Sequence, residues 1–110
     1  MGKRSNSAYL QGTVELLVLK VLSQAPLHGY GIAKWIGAET GGVLELEDAA
    51  LYQALHRMEA KGWIDPEWSR SDTGRKAKLY RLTDSGRKRL ESRSAGFRDY
   101  ASAVLKVLET

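Results

Sequence analysis

Cysteine is missing from this 110-residue sequence, which excludes a disulfide framework and a thiolate metal site. No apolar run approaches the roughly 20 residues that cross a bilayer, so no membrane partner is expected. The opening MGKRSNSAYLQGTVELLVLKVL joins a basic start to a greasy stretch, but Glu15 and Lys20 interrupt it and no small-residue cleavage pattern follows at once. It is therefore read as part of the folded chain rather than as a secretory signal, and a cytoplasmic location is expected. Signatures of catalysis are lacking too. There is no GKS or GKT phosphate loop, and the GYG at 29–31 follows no strand with a dinucleotide-binding glycine pattern. The two histidines, His28 and His56, fall on different predicted elements with no thiol to assist them, so neither a metal nor another cofactor is expected. No serine–histidine–acid spacing is evident, and the chain is not read as an enzyme.

What is present fits a small soluble globular protein: 43% hydrophobic and 27% charged residues. A chain of this length buries a limited core in one compact domain, and a second copy is a natural source of further burial. The net charge of +4 hides a strong asymmetry. Residues 1–69 carry a net −2 and residues 94–110 a net zero, whereas residues 70–93 hold nine lysines and arginines against three acids, a net +6. Such a run is either a solvated face or the footprint of a polyanion, and its confinement to one hairpin-like segment favours the polyanion.

Periodicity and punctuation divide the chain. Residues 1–11 form a basic arm with Lys3 and Arg4. TVELLVLKVLSQ (13–24) predicts a helix with Thr13 as its cap, apolar almost all round and so covered on more than one side. After the APLHG break, a second helix runs from about Tyr30 to Thr40, with Ile32, Ala33 and Ile36 on one stripe, and Gly41-Gly42 ends it. A short extended VLEL leads to a third helix, roughly Asp48 to Lys61. WIDPEWSR, in which Pro66 suits only an edge strand, and KAKLYRL (76–82), with Tyr80 and Leu82 on one face and Leu79 on the other, flank the turn SDTG (71–74) and predict a β-hairpin. Thr83-Asp84-Ser85 supplies capping residues for a last helix to about Leu108.

Three helices and a hairpin in this order give a fold class that is mainly α with a small β-hairpin: a winged helix-turn-helix over 12–82 plus a C-terminal dimerisation helix over 83–110. The third helix is the informative one. Leu51, Leu55 and Met58 make one face apolar, while the other bears Ala49, Gln53, His56, Arg57 and Ala60, flanked by Ala50 and Tyr52. The major groove of B-DNA is about 12 Å wide and admits one helix, provided its outer face is small or hydrogen-bonding. Gln53 suits adenine, Arg57 suits guanine, alanine suits a thymine methyl, and the Tyr52 hydroxyl suits a phosphate. Arg70, Arg75, Lys76 and Lys78 around the hairpin turn suit the duplex backbone. The expected partner is double-stranded DNA; the alternative is a winged-helix protein-interaction module that binds no DNA. On the last helix Leu90, Phe97, Ala101, Val104 and Leu108 lie on a seam of three- and four-residue steps whose one polar break is Ser94. With Val14, Leu17 and Val18 of the first helix they are the expected interface of a homodimer. Trp35, Phe97 and Tyr100 could line a cleft between subunits for a small aromatic effector, or simply pack there.

Three blocks, LHGYGIAKWI, LYQALHRMEAKGWI and RKAKLYRLTDSGRKRL, make the chain resemble the PadR family of bacterial transcriptional regulators, in its short form with a single C-terminal helix. The likeness covers about residues 11–91. It implies a winged helix-turn-helix, a homodimer built from the N- and C-terminal helices, and repression by binding a palindromic operator, commonly relieved by a small molecule. It also implies DNA contacts at Tyr52, Gln53, His56, Arg57 and Arg75 to Lys78. One departure stands out: Glu47-Asp48-Ala49-Ala50 replaces the family's frequent Ser-Pro-Gly-Thr. Acids suit a helix N-terminus but repel phosphates, so fewer backbone contacts are expected there.

Overall fold

The dense apolar run at 13–24 becomes α1 (Thr13–Gln24), the helix around which the others assemble. The computed structural model describes residues 12–70 and 74–110; the basic arm expected at 1–11 and most of the expected SDTG turn lie outside the described residues. Val14, Val18, Leu19, Val21 and Leu22 of α1 are all buried, because α2 (Gly29–Glu39), α3 (Asp48–Ala60), α4 (Asp84–Leu108) and strand β3 (Lys76–Leu82) surround it. Its N-cap is Gly12 and no side chain caps it, so Thr13 is the first helical residue rather than the cap. The all-round apolar pattern is thus satisfied largely within the chain, which corrects one expectation. Val14 and Val18, at 4% and 0% exposure, belong to this chain's own core and present no surface to a second copy.

Ile32 and Ile36 of α2 and Leu51, Ala54, Leu55 and Met58 of α3 complete the helical part of the core. Positive φ at Gly41 and Gly42 (61° and 84°) lets the chain leave α2, a conformation that costs glycine little. The VLEL segment forms no strand, although Leu44 and Leu46 pack on the core. At the end of α3 the same left-handed exit is made by Gly62, φ 76°.

β2 (Ile64–Arg70) and β3 pair antiparallel from Ile64 opposite Leu82 to Arg70 opposite Lys76. Tyr80 is buried and Leu82 half-buried against the core, as the alternation requires. A third strand, β1 (Leu27–His28), pairs with β3 and makes the sheet order β1-β3-β2. The expected two-stranded hairpin is therefore a three-stranded sheet. Two residues between Pro26 and Gly29 are too short to show a period of two. β2 stays at the edge, which accommodates Pro66.

α4 begins at Thr83, whose Oγ1 accepts from the backbone N–H of Gly86 at 3.0 Å. Its 25 residues extend about 37 Å at 1.5 Å per residue, which stretches the molecule to 54 × 33 × 21 Å. Leu90 packs on the core, but Phe97, Val104, Leu105 and Leu108 are 44%, 39%, 54% and 74% exposed.

Candidate nucleic-acid interface

α3 divides cleanly. Its apolar face is buried to 1% exposure or less, while Ala49, Tyr52, Gln53, His56, Arg57 and Ala60 are exposed and Ala50 is half-buried. Two neighbours hold this face in place. The Tyr52 ring lies against Gly29, where an added Cβ would stand 2.5 Å from the phenolic oxygen, so glycine at the first position of α2 makes room for it. From α1, the Glu15 carboxylate accepts from Arg57 Nε at 2.9 Å. Both Nη groups of Arg57 have no partner among the described residues.

Beside α3 rises the β2–β3 wing. Trp68, 63% exposed, stacks under two ammonium groups, Lys76 at 5.9 Å and Lys78 at 5.8 Å. Its register opposite Lys78 explains this, since directly paired residues share a face. Lys78 also approaches Glu59 of α3 at 3.5 Å, tying the wing to the helix. Arg70 turns back to donate to the carbonyl of Gly74 at 2.9 Å, and Arg81 is paired with Glu67 at 2.6 Å. Arg75 and Lys76 are exposed. Cations of the basic segment thus divide into those that brace the hairpin and those that remain presented.

The end of α3 is fixed to the start of α4. Thr83 Oγ1 donates to the carbonyls of Gly62 (2.7 Å) and Trp63 (3.0 Å), and its backbone N–H donates to Trp63 O at 3.1 Å. The Trp63 ring is flanked by Lys61 at 4.9 Å and Arg89 at 4.7 Å. Arg89 lies in the second turn of α4, and its stacking on Trp63 ties the start of that helix to the end of α3.

A helix with one bare polar face, a braced cationic hairpin beside it and a long trailing helix form the geometry of a winged helix-turn-helix regulator. The sequence model of PadR-like transcriptional regulators matches residues 18–92. The chain belongs to this family. Solved structures agree. A transcriptional regulator from Clostridium thermocellum superposes with a TM-score of 0.83 at 25% identity, over 91% of this chain and 97% of that one. A PadR-like regulator from Bacillus cereus gives 0.79 at 25% identity, over 94% and 99%. Bacillus subtilis PadR in complex with operator DNA gives 0.66 at 26% identity, over 73% of this chain and 46% of that longer one.

In this PadR-like chain the acidic pair stands at the entry to α3: Glu47 is the N-cap without a side-chain cap bond, and Asp48 opens the helix, both exposed. Of the residues expected in an effector cleft, Trp35 is 36% exposed and Tyr100 67%. The cleft between α3 and the wing has none of Trp35, Phe97 or Tyr100 in its lining. Sequence reading passed over three residues of this surface: Glu15, which reaches Arg57 across 42 positions; Trp68, read only as a strand residue; and His28, whose Nε2 lies 2.9 Å from the Ser69 hydroxyl. All three depend on long-range register, which leaves no local signal.

Proposed function

We propose that this PadR-like regulator binds double-stranded DNA as a homodimer and represses transcription from a palindromic operator. α3 enters the major groove and the wing follows the adjacent backbone. The observation that carries this reading is the exposed face of Tyr52, Gln53, His56 and Arg57, backed by a fully buried face and flanked by Arg75, Lys76 and Lys78. The Bacillus subtilis relative seen with operator DNA supports it. Residues 12–82 serve as the DNA-binding unit and 83–110 as the dimerisation helix. Leu17, Leu90, Phe97, Ala101, Val104 and Leu108 form the shared seam, and a small aromatic effector at Trp35, Phe97 and Tyr100 belongs to that two-chain state. No helix among the described residues is long and apolar enough to cross a membrane, in keeping with action in the cytoplasm.

Selection of bound sites from random duplexes tests the proposal. It should enrich sequences with two-fold symmetry whose half-sites lie about 34–36 Å or a multiple apart, with binding that weakens steeply as salt rises. Salt-insensitive retention without enrichment would instead fit the protein-interaction module.

A further inference from the structure

Between α3, the start of α2 and the wing lies a cleft of about 320 Å³, at the small end of the roughly 300–1,000 Å³ that ligand pockets occupy. At its base is Tyr80, only 4% exposed. Its hydroxyl makes no hydrogen bond among the described residues, and since no buried side-chain oxygen or nitrogen is left unpaired there, it opens onto the cleft. Burial, then the charge of Glu59, then Tyr52 push its pKa up to about 12, so it stays protonated and can donate. The walls are aromatic: Tyr52 on α3, Trp68 on the wing, and the His28–Tyr30 pair stacked at 6.0 Å and 12°. The carboxylate and ammonium that line it, Glu59 and Lys78, pair with each other, which leaves no unbalanced charge to attract an ion.

We propose that this cleft binds an uncharged, planar, fused-ring molecule carrying a hydrogen-bond acceptor for the Tyr80 hydroxyl, and that this ligand and DNA exclude one another. Flat walls at the sides reward stacking, and a hydroxyl open to the cleft rewards a ligand that accepts from it while penalising one that covers it without accepting. Exclusion follows because Tyr52, His56 and Lys78 line the cleft and also belong to the proposed DNA-facing surface. The exclusion rests on that DNA-binding reading; ligand binding does not.

The test uses carbostyril, an uncharged fused bicycle with a lactam carbonyl, titrated into the full chain while the three indole N–H resonances are followed by two-dimensional NMR. The Trp68 resonance should move saturably while those of Trp35 and Trp63 stay. Naphthalene, which lacks an acceptor, and the Tyr80→Phe variant, which keeps the ring and lacks the donor, should each weaken binding about fivefold, the equivalent of one net hydrogen bond. A stationary Trp68 resonance at the solubility limit, undiminished binding to Tyr80→Phe, or tighter binding of the anion quinaldate would overturn the ligand assignment. Fluorescence anisotropy with a selected duplex then tests exclusion: saturating carbostyril should raise the apparent Kd, and an unchanged Kd removes it. If no duplex binds at all, the DNA reading fails while the indole shifts still decide the cleft.

Discussion

Two glycines on one helix should respond to the same substitution with opposite signs. Gly86, in the first turn of α4, is buried; a Cβ built there would overlap the carbonyl oxygen of Trp63 and stand 2.6 Å from Leu82 Cδ1. That carbonyl cannot easily retreat, since it accepts from both the backbone N–H and Oγ1 of Thr83. Gly96, ten residues on, has nothing within 4 Å of its Cβ position. Alanine gains about 0.5–1 kcal/mol over glycine in a helix interior, and forced overpacking costs about 1–3 kcal/mol. At Gly86 the contact is with pinned backbone, so the cost should take the upper part of that range and leave Gly86→Ala about 1–2 kcal/mol less stable. At roughly 4 °C per kcal/mol for a chain of this size, its Tm should fall by about 4–8 °C, whereas Gly96→Ala should gain a few degrees. Scanning calorimetry at one fixed protomer concentration is the assay, because association would make Tm concentration-dependent. A Gly86→Ala protein as stable as its parent would refute the close approach of α4 to the Trp63 carbonyl.

Other substitutions probe the surface. Arg57→Ala should cost about 1–3 kcal/mol on a selected operator and relax preference at one base pair; an equal loss on random duplex would deny it a base contact. Removing Arg75 and Lys76 together should weaken all duplexes alike and lower the log–log salt slope by roughly 0.9 per lost phosphate contact; filter binding across salt concentrations shows this, and an unchanged slope removes the wing tip from the interface. Val104→Asp places a carboxylate on a residue already 39% exposed in the single chain, so folding should survive while the dimer separates. Light scattering should then report the 12.2 kDa of one chain against twice that for the parent, and a parent that is itself monomeric would end the dimer proposal.

The legible parts of the molecule were those where chemistry is local. Apolar spacing at Leu51, Leu55 and Met58 exposes its own complement on α3, and the capping run Thr83-Asp84-Ser85 marks the start of α4. Gly62 and the Gly41-Gly42 pair end helices because a left-handed exit is easiest there. β1 escaped notice because a two-residue strand exists only by virtue of its partner.

From its own residues the sequence determined which segments coil, which two strands form the hairpin and which face of each helix avoids water, because these follow from backbone sterics and periodic apolarity within a few turns. Tertiary structure alone decided that Val14 and Val18 face inward, that Glu15 holds Arg57, that two lysines flank Trp68 and that the Tyr80 hydroxyl opens onto a cleft. Those outcomes depend on contacts between residues tens of positions apart, and no local pattern encodes the packing that brings them together.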